Sequence, residues 1–311
     1  MMGSQFVRAA AASLALIFML PLATSAAPLP SLPAADAQFD AGSLHVARFG
    51  HGGAIVLLPG LTAGPWEFAD LIRRFSPRYT VYAVSLPGFD GRGGAAPPLF
   101  DGFEHDFWSM LDAQKIVRPV LIGHSLGGTL SLLLGEQHPE RLRGIVAIDG
   151  LPILPGMERA TAEQRAAAGQ QASTQVAALT HPQLLDYDKA YMNSSGGVLD
   201  SEQAAAAAAL AANSDPPTTA QWLREEVIAD LRPELAKITV PLLEIVPFNA
   251  PDLAGAPLSF TEEQKVGYYR TLLSGAPNVQ VVSVSPARHF AMLDQPEKVF
   301  AIVDAFLTQT R

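Results

Sequence analysis

The chain has 311 residues, 49% of them hydrophobic and 16% charged, a composition that supports a sizeable buried core and excludes a disordered acidic chain. A net charge of −9 provides no electrostatic footprint for nucleic acid. Cysteine is absent, which excludes disulfides, thiol catalysis, Cys-based zinc sites and lipid attachment through Cys. No His-Glu-x-x-His pattern or comparable ligand cluster appears, so neither a metal nor another cofactor is expected.

Arg8 is the only charged residue before Asp36. An apolar run over residues 9–20 follows it, then Pro21 and the small residues Ala23-Thr24-Ser25-Ala26. This is the order of a secretory signal peptide, predicted over residues 1–26 with cleavage near Ala26-Ala27. At ~1.5 Å per residue the run reaches about 18 Å, short of the ~30 Å hydrocarbon core, so no stable membrane span is expected once it is removed. The mature protein is then exported, periplasmic or secreted. Residues 27–37, rich in proline, read as a tether.

Residues 38–49 have the pattern of a hairpin turning at Gly42-Ser43. Residues 54–58 (AIVLL) form a continuous apolar run, as in a strand covered on both faces, and Pro59-Gly60 ends it. Trp66, Phe68, Ile72 and Phe75 predict a helix opened by Pro65. A strand over 79–84 follows, closed by Leu86-Pro87-Gly88. Phe103, Phe107, Met110 and Leu111 then mark one stripe of a helix. A short strand over 120–122, a helix over 126–137 and a strand over 145–148 come next. From 151 to 237 the chain is alanine-rich without strand-like runs, which predicts several inserted helices. Strand pattern resumes over 242–246 and 279–284, and a helix after Pro296 closes the chain. Alternating strands and helices predict an α/β fold with a mostly parallel, doubly wound sheet.

Gly123-His124-Ser125-Leu126-Gly127 fits Gly-x-Ser-x-Gly, with a predicted strand running straight in and a helix straight out. So tight a turn strains its central residue and demands small neighbours two positions to either side. It would hold Ser125 Oγ out at the carboxyl end of the sheet. The Gly-rich segment 88–94 lacks Gly-Lys-Ser/Thr and reads as a flexible loop near the site mouth rather than a phosphate cradle.

On Leu57-Leu58-Pro59-Gly60-Leu61, Gly123-His124-Ser125-Leu126-Gly127-Gly128 and Arg288-His289-Phe290, the chain resembles the α/β-hydrolase superfamily from about residue 38 to the C-terminus. The resemblance implies a Ser-His-acid hydrolase with a core of residues 38–150 and 238–311 and a helical cap, 151–237, between strands six and seven. Serine needs a base to take its proton. Of seven histidines, His289 follows the last strand, where the family places that base. The acid commonly stands just past strand seven, but there the chain reads Pro247-Phe248-Asn249-Ala250-Pro251-Asp252, with a neutral amide near the expected place. Two carboxylates keep the chain order Ser, acid, His: Asp149, after strand six, where some lipases of the superfamily carry it, and Asp252 as its alternative. The resemblance assigns the oxyanion donors to the backbone N–H groups of Leu61 and Leu126.

The expected reaction is acyl transfer from a small-molecule carboxylic ester through Ser125. Lactone, thioester or C–C hydrolysis, or transfer to another acceptor, is an alternative on the same residues. A non-catalytic ligand-binding relic that lost its acid at Asn249 is a third. Tyr187, Tyr191 and Trp222 are the large cap residues available to shape a pocket or to pack the cap's own core.

Overall fold

The computed structural model describes residues 29–253 and 260–310; the predicted leader over 1–26 lies outside the described residues, as does the first residue pair of the tether. A hairpin of β1 (Ala37–Ala41) and β2 (Leu44–Phe49) opens the fold. Then come β3 (Gly53–Leu58), α1 (Ala69–Phe75), β4 (Tyr79–Ser85), α2 (Leu99–Ala113), β5 (Val120–His124), α3 (Leu126–Gln137) and β6 (Gly144–Ile148). Four helices follow before the next strand: α4 (Ala162–Ala177), α5 (His181–Met192), α6 (Ser201–Ala211) and α7 (Pro216–Ile228). The chain finishes with β7 (Leu242–Pro247), α8 (Glu262–Leu272), β8 (Val279–Val284), α9 (Ala291–Asp294) and α10 (Pro296–Gln309).

The eight strands form one sheet in the order β1-β2-β4-β3-β5-β6-β7-β8. Only the β1–β2 and β2–β4 pairings are antiparallel; β4 through β8 pair parallel. Burial on both faces explains the unbroken apolar runs, since successive side chains of a strand point to opposite sides. Val56 and Leu58 of β3 join a cluster with Phe103 and Phe107 of α2 and Leu130 and Leu134 of α3. Ile55 and Leu57 join the opposite cluster with Leu71 and Phe75 of α1 and Val299 and Val303 of α10. The inserted helices contribute to both: Trp222 of α7 enters the first, and Ala204, Ala207 and Ala208 of α6 the second. The alanine run therefore packs a helix closely against the core face on which it sits.

Helix α8 is not among the elements expected from the sequence, although Thr261 and Gln264 have capping-box spacing. Thr261 caps it, its side chain accepting from Gln264 N–H while the Gln264 side chain accepts from Thr261 N–H. Val266, Tyr269 and Leu272 are its buried face.

Candidate active site

Ser125 links β5 directly to α3 with φ 50° and ψ −119°. A non-glycine residue at positive φ is held there by its surroundings, and the surroundings are close. A Cβ on Gly123 would fall 2.1 Å from Gly127 O, and one on Gly127 would fall 2.0 Å from Leu58 O. Serine at a helix N-cap ordinarily accepts a backbone hydrogen bond, but Ser125 makes no such cap bond. Its hydroxyl is thereby left to face the cavity that Ser125 lines.

On the same cavity wall, His289 Nδ1 lies 2.5 Å from Asp149 Oδ2 and donates to it. Asp149 follows β6 at φ 52°, and its N–H donates to Ile245 O of β7. Its other oxygen accepts from the Tyr269 hydroxyl of α8. Burial alone would raise the Asp149 carboxyl. The His289 charge and hydrogen bond, the Lys265 ammonium and the Tyr269 hydroxyl outweigh it and hold the group down at about 2. Burial also lowers His289 below the ordinary histidine value, against the pull of Asp149. The arrangement is an ionised carboxylate beside a neutral imidazole at pH 7. Glu244 of β7 is fully buried nearby. Desolvation, with the Asp149 charge, pushes its carboxyl well up, so it stays protonated and adds no second negative charge.

Asp252 lies elsewhere. Both its oxygens are engaged by Arg288, with Nε at 2.9 Å and Nη2 at 2.7 Å, and neither Asp252 nor Asn249 lines the cavity. The carboxylate on His289 comes from the end of β6, so Asn249 leaves no gap in this arrangement.

Glu67 is a participant that no sequence motif marks. It is 1% exposed, in a short 3-10 turn before α1, and its Oε1 accepts from Gly60 N–H at 3.0 Å. His124 Nδ1 hydrogen-bonds its Oε2 at 2.9 Å, and His124 Nε2 donates to His289 O at 3.2 Å. The rings of His124 and His289 lie 4.6 Å apart. One buried pair thus reaches both the loop carrying Leu61 and the loop carrying His289. Leu61 lines the cavity, and among the described residues its N–H meets no acceptor. Leu126 N–H opens α3, where the first N–H groups of a helix have no intrahelical acceptor. Both are therefore free to donate to an oxyanion beside Ser125. Among the described residues no cluster of three or more His, Asp or Glu side chains could hold a metal ion.

The cavity has a volume of about 350 Å³. One wall is the core, with Ser125, Asp149, Tyr269 and His289; the other comes from the inserted helices, with Val176 of α4, Tyr187, Asp188 and Tyr191 of α5, and Thr219, Leu223 and Glu226 of α7. Tyr187 and Tyr191 remain 55% and 37% exposed, whereas Trp222 is fully buried against Phe89, Phe100 and Phe103 and donates to Pro87 O. Trp222 is core, and the two tyrosines are cavity wall.

The 88–94 segment does not line this cavity, contrary to the expectation of a loop at the site mouth. It is tied to the inserted helices instead: Gly91 N–H donates to Asn213 O, and Asp215 N–H to Gly88 O. The α5–α6 connection is fastened in turn to the His289 loop. Phe290 N–H donates to Gly197 O, Arg288 Nη1 to Val198 O, and Leu199 N–H to Asp294 Oδ1.

The profile of the Alpha/beta hydrolase family matches residues 55–302, and the chain belongs to that family. Among characterised relatives, it is 25% identical over 285 residues to the 2-(acetamidomethylene)succinate hydrolase of Mesorhizobium japonicum, covering 85% of this chain and 91% of that one. It is also 31% identical over 113 residues to the pimeloyl-[acyl-carrier protein] methyl ester esterase of Aeromonas hydrophila, a match spanning 35% of this chain and 42% of the esterase. In structure it is similar to MenH from S. aureus, with TM-score 0.71 at 18% identity over 86% of this chain and 98% of that one. The enol-lactonase of Burkholderia xenovorans LB400 superposes with TM-score 0.62 at 21% identity, over 85% of this chain and 96% of that one. These superpositions carry the fold assignment over 86% and 85% of the chain. Among the described residues no helix is long and apolar enough to cross a membrane.

Proposed function

We propose that this chain is an exported serine hydrolase that cleaves carboxylic esters through an acyl-enzyme on Ser125. The observation that carries the reading is the Asp149–His289 bond of 2.5 Å in the cavity lined by a serine held at positive φ. His289 Nε2 takes the Ser125 Oγ proton as Oγ attacks the carbonyl carbon. Asp149 fixes the ring tautomer and stabilises the imidazolium that forms. The N–H groups of Leu61 and Leu126 bind the oxyanion. Collapse of the tetrahedral intermediate breaks the ester C–O bond, and His289 returns its proton to the leaving alcohol. Water, deprotonated by the same nitrogen, then attacks the acyl carbon and releases the acid and Ser125.

An ester without a carboxylate suits the cavity best. A dianion of the kind named for the M. japonicum relative would meet the carboxyls of Asp188 and Glu226. Among the described residues no lysine or arginine lines the cavity to receive it. Export rests on Arg8, the apolar run over 9–20 and the small residues before Ala27. The test is labelling with a fluorophosphonate, followed by peptide mapping, beside turnover of p-nitrophenyl acetate. Ser125 is expected to carry the adduct, and Ser125→Ala to lose both label and turnover. An adduct elsewhere, or turnover undiminished in Ser125→Ala, overturns the reading.

A further inference from the structure

Asp188, Thr219 and Glu226, all of the inserted helices, line the cavity without a task in the mechanism. Asp188 is 2% exposed, and its Oδ2 is buried with no hydrogen-bond partner. Thr219 is equally buried, at 2%, with its Oγ1 unpartnered. Glu226 lines the same wall and makes no hydrogen bond among the described residues. Buried oxygens without partners are costly, and a buried carboxyl without a cation is more so. Both act electrostatically on the Tyr191 hydroxyl, and the Tyr191 ring meets His289 edge-on at 6.3 Å, so the group lies one side chain from the reacting centre.

We infer that Asp188 and Glu226, with Thr219 Oγ1, form a subsite for a protonated amine on the substrate. The inference rests on the hydrolase reading for its meaning and extends it to a substrate class: esters carrying an ammonium group in the part that faces α5 and α7. An ammonium supplies N–H donors to oxygens that lack them and positive charge to carboxyls that lack a counterion. Tyr187 and Tyr191 add aromatic surface on which a cation is well received. Burial pushes Asp188 up to about 7, and Glu226 up to about 7 despite the favourable charge of His124, as expected of carboxyls awaiting a counterion. A hydroxyl-rich neutral ligand would supply donors without the charge, and the test separates the two.

The full chain is titrated calorimetrically at pH 8 with cyclohexylammonium and with cyclohexanol, which share a ring and differ in the charged head group. Cyclohexylammonium is expected to bind at least about tenfold more tightly, a difference of about 1.4 kcal/mol. Asp188→Asn combined with Glu226→Gln is expected to abolish the preference. Equal binding of the two ligands to the wild type, or a preference that survives in the combined variant, overturns the inference. The wild-type comparison decides by itself if that variant does not fold. Because binding is read without turnover, a protein whose Ser125 takes no fluorophosphonate adduct but that still prefers cyclohexylammonium refutes the hydrolase reading and leaves the subsite standing. The reverse result does the opposite.

Discussion

Glu67 and His124, 57 positions apart in the chain, are joined by a hydrogen bond of 2.9 Å between side chains that are 0% and 1% exposed, at the cavity wall that His124 lines. Each partner spends its second polar atom on a different loop, Glu67 on Gly60 N–H and His124 on His289 O. The pair thus couples the loop of Leu61 to the loop of His289.

Glu67→Gln keeps the volume and one acceptor but removes the charge. It is expected to lower kcat by about tenfold to a hundredfold, less than the roughly 10²–10³ lost with an oxyanion donor outright, while KM changes little. Steady-state kinetics on p-nitrophenyl acetate read the split. A rise in KM with unchanged kcat would contradict a positioning role.

Asp149→Asn and Asp252→Asn separate the two carboxylates. The first removes the partner of His289 Nδ1 and is expected to cost on the order of 10⁴ in kcat, as the equivalent change does in a serine protease. The second removes half of a partly buried ion pair with Arg288 and should leave kcat within a few-fold. Comparable losses in both would remove the assignment of Asp149.

The pH dependence of kcat/KM should show an acid limb with a midpoint below the ordinary histidine range near 6.5, because burial lowers His289 and only its neutral form accepts the Ser125 proton. Activity is full above that midpoint and falls as pH drops through it. A limb centred at or above 7 would contradict the geometry.

Tyr269→Phe removes the hydroxyl that withdraws charge from Asp149. More of the carboxylate charge then acts on His289, stabilising the imidazolium. The acid limb is expected to move toward higher pH, with kcat reduced by a few-fold. An unmoved limb would show that the hydroxyl only fills space.

Glu136 of α3 is 8% exposed with Oε1 unpartnered, and burial, aided by the charge of Glu234, pushes it up to about 8. A carboxyl raised in the folded state favours folding below its unfolded value near 4.5, and that contribution is lost as pH rises toward 8. Glu136→Gln should therefore raise Tm by a few degrees at pH 8 and leave it unchanged near pH 4.5. Thermal melts at the two pH values measure this.

Much of this architecture is legible before any coordinates. Runs such as residues 54–58 are apolar throughout because both faces of β3 are covered, and the glycines around Ser125 are forced by approaches of about 2 Å. The choice between Asp149 and Asp252 is not legible, since both satisfy the same chain order; only the packing of β6 against β7 and α8 brings one of them to His289. Tyr269 is hidden for a related reason. Its helix is amphipathic over a short span, and the contact it makes crosses 120 positions. Glu67 sits in a turn with no motif, in sequence an ordinary acidic residue among aromatics, and its burial is a tertiary fact.

The bonds from residues 197–199 to the His289 loop carry a mechanical consequence. The backbone of Gly197, Val198 and Leu199 is stitched to Phe290, Arg288 and Asp294. A hinged roof lifting from the sheet would tug the imidazole out of register with the serine below. Any opening of that roof therefore either breaks these bonds or displaces the loop that carries the imidazole.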